Sequence, residues 1–240
     1  MPNLMRLGWR RVRRPFRAWR DKARGMTREP LTAAMIAELV DRPEPTLLEI
    51  GCNDGLDTLQ FLAAMPRARV FCFEPDPRAI ARFKANLGER LGQVELFEVA
   101  ISDRSGMVTF HVSHGDAPDL PDGWDRSGSI RLPAQHLALH PWVKFPKSIE
   151  VPTCRLDDWA GEQGVDAVDF IWMDVQGAEG DVLAGAQGVL TKTRYLYTEY
   201  DDRELYQGQL PLAGILKLLP EFQILRRYSH DVLLRNVRLT

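Results

Sequence analysis

The sequence predicts an α/β fold: a doubly wound, mostly parallel seven-stranded sheet with an antiparallel C-terminal hairpin. Three observations lead there. Short apolar runs alternate with segments of helical periodicity along most of the chain. The first run passes directly through a glycine turn into a helix. The last two runs flank a polar turn, the pattern of a hairpin.

The elements follow in order. Residues 1–30 hold ten Lys/Arg against Asp21 and Glu29. Trp9, Val12, Phe16 and Trp19 fall at helical spacing among these arginines, with Pro15 as an interruption. This is the pattern of a basic amphipathic arm. Leu31, Met35, Ile36, Leu39 and Val40 mark a helix that Pro43 and Pro45 terminate. Thr46–Ile50 reads as a buried strand. Gly51-Cys52-Asn53-Asp54-Gly55 then forms a tight turn into a helix running to about Met65. Arg69–Glu74 is a second buried strand ending on an acid. Pro75, Asp76 and Pro77 start the next helix, with Ile80, Phe83 and Leu87 inward.

Val94–Ala100 is expected as the third strand, followed by Ile101-Ser102-Asp103, and Met107–Ser113 as another. Residues 114–147 are rich in Pro, Gly, Asp and Trp and read as a lid-like insertion, with turns at Asp119, Pro121, Gly123 and Trp124. Ile149–Cys154 returns to strand and Leu156 starts a short helix. Val168–Asp174 is a strong strand ending on a second acid. A helix carrying Val182, Leu183, Ala186, Val189 and Leu190 comes next. Arg194–Tyr200 is a strand, Leu212–Leu219 a helix, and Phe222–Tyr228 with Val232–Leu234 the closing hairpin around Ser229-His230-Asp231. The organisation is an arm over 1–30 and one domain over 31–240.

Composition narrows the class. The chain has 240 residues, enough for one full α/β domain, with 45% hydrophobic and 27% charged residues. Its net charge of −2 conceals an arm at +8 and a remainder at −10. Such a remainder predicts no nucleic-acid partner, whereas the arm suits the surface of an anionic membrane. The three cysteines, Cys52, Cys72 and Cys154, are odd in number and widely spaced. They point to reduced thiols in a cytoplasmic setting, not to a disulfide frame or a zinc site. No run approaches the ~20 apolar residues of a membrane span, and no apolar segment follows the N-terminal arginines as in a secretory signal. The expected location is cytoplasmic, with the arm allowing peripheral attachment at the inner membrane surface.

The chemistry of the glycine turn indicates its ligand. A pyrophosphate-binding turn carries Gly-x-Gly-x-x-Gly. Here Asn53 stands at the second glycine, and Glu49, Asp54 and Asp57 surround the helix start. These acids repel a diphosphate and favour a cation, which disfavours an NAD-dependent oxidoreductase. S-adenosylmethionine, with its sulfonium and amino group, matches the sign of the site. Glu74, at the tip of the second strand, stands where one carboxylate accepts both hydroxyls of a ribose. In an open parallel sheet the first strand and Val168–Asp174 flank the switch point, so their tips face one cleft.

Leu-Glu-Ile-Gly-Cys-Asn-Asp-Gly, Phe-Glu-Pro-Asp-Pro, Ala-Ile-Ser-Asp, Leu-Asp-Asp-Trp and Met-Asp-Val-Gln-Gly-Ala-Glu occur in this order. With them the chain resembles the FkbM family of S-adenosylmethionine-dependent methyltransferases over about residues 46–235. The resemblance implies the class I methyltransferase (Rossmann-like) sheet and O-methylation of a hydroxyl on a sugar, glycan or related small molecule. It implies that Glu49, Gly51, Cys52, Asn53 and Gly55 frame the methionine half of the cofactor. Glu74 and Pro75 then serve the ribose, Ala100 and Ile101 line the adenine, and Asp174 faces the reacting centre. Gln176 departs from the glutamate usual in the family.

Methyl transfer to a hydroxyl needs an acceptor for its proton. Asp174 is the first candidate, followed by Glu179, Glu199 and His230. Asp174 and Glu199 alternatively offer oxygens to a divalent cation, so metal is left open. The five histidines, His111, His114, His136, His140 and His230, read as surface or loop residues. A non-catalytic cofactor-binding protein targeted by its arm is the other function class that fits these features.

Overall fold

A computed structural model describes residues 26–27, 29–116 and 123–240. The expected basic arm, with Trp9, Val12, Phe16 and Trp19, lies outside the described residues, as do Asp119 and Pro121 of the long loop. In chain order the first elements are α1 (Ala33–Val40), β1 (Thr46–Ile50), α2 (Leu56–Ala64), β2 (Arg69–Phe73), α3 (Pro77–Leu87), a 3-10 turn (Gly88–Gln93), β3 (Val94–Phe97), β4 (Ala100–Ile101) and β5 (Gly106–His114). There follow α4 (His136–Leu139), β6 (Lys144–Cys154), α5 (Leu156–Gln163), β7 (Val168–Met173), α6 (Glu179–Ala184) and α7 (Gln187–Thr191). The last are β8 (Thr193–Glu199), α8 (Leu212–Leu218), β9 (Phe222–Arg227) and β10 (Asp231–Asn236).

Seven strands form the main sheet in the order β3-β2-β1-β7-β8-β10-β9. The first five are parallel, and β10 runs antiparallel to both of its neighbours. Chain order reverses between β1 and β7, so the exits of these strands sit side by side at the carboxyl edge.

Alternation along the strands assigns the faces. Leu48 and Ile50 join Phe71, Phe73, Trp159, Leu183 and Ile215 in one apolar cluster, beneath α5 to α8. Leu47 and Cys52 join Ile36, Phe61, Cys72 and Phe83 in the other, beneath α1 to α3. Helix starts are set locally: Thr32 Oγ1 accepts from the Met35 N–H at 3.2 Å, and Asp76 caps α3 ahead of Pro77.

Three expectations change. The run Val94–Ala100 is not one strand. The chain leaves the main sheet after Phe97, and Ala100–Ile101 joins a second, three-stranded sheet of order β4-β6-β5. Phe110, Val112 and Val151 give that sheet its own small core with Ala100. Next, the strand expected from Ile149 begins at Lys144. Lys144 and Pro146 to Ser148 are exposed, so no apolar pattern marks them, and the backbone pairing with β5 defines the strand. Finally, the single helix expected after Asp174 breaks at Gly185. A Cβ there would lie 2.0 Å from the Ser102 carbonyl oxygen, so the close approach of that loop requires glycine and interrupts the helix.

Trp159 of α5 is the keystone of the larger cluster. Its ring meets Phe71, Phe73 and Phe97 edge to face, with centroids 5.1, 4.9 and 5.4 Å away. Trp159→Ala is expected to cost about 3–5 kcal/mol in urea unfolding, whereas Met107→Ala, at a 61% exposed side chain, should fall within about 0.5 kcal/mol of the parent.

Candidate active site

The site begins where β1 ends. The Gly51 N–H donates to the Phe73 carbonyl at 2.9 Å, and the Asp174 N–H donates to the Ile50 carbonyl at 3.0 Å. These bonds draw the exits of β1, β2 and β7 together. Gly51 has φ +85°, and a Cβ on it would stand 2.0 Å from the Asp174 carbonyl oxygen. Asn53 takes up the left-handed region at φ 44°, a conformation asparagine tolerates better than most residues. Its N–H donates to Glu74 Oε2 at 2.9 Å. Gly55, at φ +76°, leads into α2 against Phe83 and Leu87, where a Cβ would clash.

The acids around this turn occupy different layers. Glu49 is buried beneath it, on the α2 side of β1. Thr58 Oγ1 donates to its Oε2 at 2.5 Å, and the Cys72 thiol lies 3.7 Å from the same oxygen. Burial pushes the Glu49 carboxyl well above the ordinary carboxylate range. Cys52 also points inward, and burial pushes its thiol up. Glu74 stands at the tip of β2, just before Pro75. Its two oxygens accept from the backbone N–H groups of Asn53 and Asp76, at 2.9 and 2.8 Å. Burial raises Glu74 to about 8 even though both N–H groups favour its charged form. Ala100 and Ile101 are buried, Ile101 within the larger apolar cluster.

The tips of β7 and β8 form the other half. Asp174 and Glu199 follow the paired residues Met173 and Thr198 on adjacent strands, about 4.8 Å apart. The Gln176 amide joins them: Nε2 donates to Asp174 Oδ1 at 2.6 Å and to Glu199 Oε2 at 3.1 Å. All three residues are half-buried. Glu179, in contrast, is 1% exposed and turned back on its own helix start, accepting from the Gly177 N–H at 3.2 Å. Burial lifts its carboxyl to about 7. Its other oxygen, Oε2, has no hydrogen-bond partner. His230 stands at the hairpin turn, at the same edge of the sheet because Asp231 pairs with Glu199. Its Nδ1 is 3.5 Å from Asp201 Oδ2, and its side chain is half exposed. Of the four candidate proton acceptors, Asp174 and Glu199 are brought together, Glu179 is sealed behind the turn, and His230 sits outside beside Asp201. Among the described residues, no cluster of three or more His, Cys, Asp and Glu is placed to hold a metal ion.

Residues 123–135 of the insertion roof these strand ends. Asp125 pairs with Arg82 of α3, Arg126 with Asp54 of the glycine turn at 3.2 Å, and Arg131 with both oxygens of Asp181 at 2.6 and 2.7 Å. The Tyr206 hydroxyl donates to the Ser127 carbonyl at 2.9 Å. His136, expected at the surface, is buried against Tyr206 and Phe145, and burial lowers its imidazole to about 4. The sequence reading passed over Tyr206 and the bridging role of Gln176. The signals available were an aromatic residue in an otherwise polar loop and an amide set between two acids.

The sequence matches the Methyltransferase FkbM domain over residues 49–233. The chain belongs to the FkbM methyltransferase family. It is 55% identical over 208 residues to the 2-O-methyltransferase NoeI of Sinorhizobium fredii (strain NBRC 101917 / NGR234), covering 85% of this chain and 84% of that protein. It is 25% identical over 158 residues to the 31-O-demethyl-FK506 methyltransferase FkbM of Streptomyces tacrolimicus, 61% of each chain. The structure of a putative O-methyltransferase from Klebsiella pneumoniae overlays with a TM-score of 0.47 at 13% identity, covering 94% of this chain and 91% of that one. This member of the FkbM family is an S-adenosylmethionine-dependent O-methyltransferase.

The residues present fit that cofactor. Asn53 Oδ1 is buried in the glycine turn without a hydrogen-bond partner, as an acceptor awaiting a ligand donor is. Glu74 keeps lone pairs beyond the two backbone N–H groups it accepts from. The backbone at Gly51 leaves no room for a side chain.

Gly51→Ala is expected to cost more than about 4 kcal/mol or abolish soluble expression, because strain and a backbone clash add. Gly164→Ala is the control. It shares a positive φ of 64° but meets nothing within 4 Å, so thermal unfolding should report only the left-handed penalty of about 1–2 kcal/mol.

Proposed function

We propose that this enzyme methylates a secondary hydroxyl of a sugar unit in a glycan, with Asp174 as the proton acceptor. The pairing of half-buried Asp174 and Glu199 beside the glycine turn carries the reading. The 2-O-methyltransferase NoeI, with 55% identity across most of both chains, supports the choice of a hydroxyl acceptor.

Bound S-adenosylmethionine supplies a methyl group already activated on a sulfonium. The protein's tasks are alignment and proton removal. Gly51 to Gly55 would hold the methionine half, with Asn53 Oδ1 accepting from its amino group. Glu74 would take both ribose hydroxyls. Asp174 would hold the acceptor hydroxyl and take up its proton. Residues 123–135 are held over the strand ends by Arg126–Asp54 and Arg131–Asp181. Acidic side chains at the ends of β2, β7 and β8 suit a cationic donor.

Glu74 gives donor binding a pH dependence with a definite sign. Free Glu74 titrates at about 8, and the charged form accepts both diol hydrogens. Below pH 8, binding must expel a proton. Donor affinity measured by calorimetry should therefore rise with pH, by up to about tenfold per unit, and level off above pH 8. In Glu74→Gln the slope should vanish and affinity fall at least about tenfold.

The acceptor is tested by incubating the enzyme with S-adenosylmethionine and a panel of glycans that differ in one free hydroxyl. Release of S-adenosylhomocysteine and a product one methyl group heavier are expected. Asp174→Asn should lower kcat by about 10²–10⁴-fold while donor affinity stays within about twofold. Donor binding without any methylated product would favour a non-catalytic role.

A further inference from the structure

We propose that Gln176 is a positioning residue whose amide nitrogen stands where a divalent cation would otherwise bridge Asp174 and Glu199. This inference rests on the methyl transfer proposed for these strand ends. Three observations on one turn support it.

The first is the geometry of the amide. Its nitrogen carries two hydrogens and lies 2.6 Å from Asp174 Oδ1 and 3.1 Å from Glu199 Oε2. One group therefore donates to both carboxylates. Its oxygen lies 3.3 Å from the Tyr206 hydroxyl. The opposite orientation would set an oxygen against two carboxylates, so the network fixes which end is nitrogen.

The second is backbone strain. Gln176 has φ +51° and Gly177 has φ +92°. A left-handed glutamine is uncommon, so the surrounding structure must enforce it. The enforcing contact is visible. The Tyr206 ring packs on Gly177 so closely that a Cβ would lie 2.7 Å from it. Tyr206 is itself 1% exposed, and its hydroxyl is tied to Ser127 of the roof.

The third is chemical. Carboxylate oxygens from neighbouring strand tips are the ligands that hard divalent cations take. A cation between Asp174 and Glu199 would have to displace the amide nitrogen. The amide makes the same bridge without net charge. It holds the Asp174 carboxylate through Oδ1. Replacing it with a third carboxylate would turn the bridge into a cation site.

The test compares the parent chain with Gln176→Glu, Gln176→Ala and Tyr206→Phe, all full-length and checked for folding by circular dichroism. Mn²⁺ is the probe, followed by calorimetry and by the electron paramagnetic resonance of the bound ion. Gln176→Glu should bind Mn²⁺ at least about tenfold more tightly than the parent, and Gln176→Glu/Glu199→Gln should lose that gain. With a glycan acceptor, Gln176→Ala and Tyr206→Phe should lower kcat at least about fivefold, with the donor KM within twofold. Equal Mn²⁺ affinity in parent and Gln176→Glu would overturn the proposal, as would a gain that survives removal of Glu199. So would an unchanged kcat in both Gln176→Ala and Tyr206→Phe. Failure of the parent to bind S-adenosylmethionine would instead strike at the proposed function, and the Mn²⁺ comparison would still decide the role of Gln176.

Discussion

The architecture depends on one close approach, that of Gly51 to the backbone of Asp174. Two parallel strands that are distant in sequence leave the sheet at the same level. The Ile50 carbonyl accepts from the Asp174 N–H there, and no side chain fits between them. Because chain order reverses at this point, the loops after β1 and β7 diverge to opposite faces and open a crevice. Everything chemical is arranged around that crevice: Asn53 and Glu74 on one flank, Asp174, Gln176 and Glu199 on the other. A side chain at residue 51 would push the flanks apart, and neither could then serve a ligand lying across both.

The acidic character of the crevice carries a cost in stability. Glu49, Glu74 and Glu179 are buried, and burial holds each above its unfolded value. Between the unfolded values near 4.5 and folded values of about 7 for Glu179 and about 8 for Glu74, the folded chain binds more protons than the unfolded one. Stability is therefore fully present at the acid end and declines as pH rises through that window. Shifted carboxyls of this kind cluster where they serve something other than the fold. The aromatic cluster of Phe71, Phe73, Phe97 and Trp159, packed on β2 and β3, is a large apolar contribution that offsets them.

Most of this was legible in the sequence where apolar periodicity and strand tips carried the information. The parallel strands, the glycine turn and the strand-tip acids were read from residue types alone, because buried parallel strands leave apolar runs and their exits carry the polar groups. What escaped has a common physical cause. The second sheet is defined by backbone pairing of exposed residues such as Lys147 and Ser148, which no periodicity marks. The helix break at Gly185 is set by Ser102, more than eighty residues away in the chain. Glu49, near the end of β1, and Glu179, five residues past Asp174, stood beside Glu74 and Asp174 as candidate site acids. Only the fold turns the first pair inward, toward Thr58 and the Gly177 backbone, and leaves Asp174 half-buried. Sequence names the acids; packing distributes their roles.

The roof constrains how an acceptor can reach Asp174. Residues 123–135 are tied to four separate parts of the sheet edge: Arg126 to Asp54, Asp125 to Arg82, Arg131 to Asp181, and Ser127 to Tyr206. The Asp125 side chain is fully buried, and breaking such a pair leaves an uncompensated charge. Lifting the roof as a unit would break all four ties at once. On the β8 and β10 side of the same edge, Glu199 is half-buried and His230 half exposed beside Asp201. An acceptor lying against that side would face carboxylates and an imidazole. A hydroxyl-bearing acceptor has donors to offer those groups, and an apolar one has none.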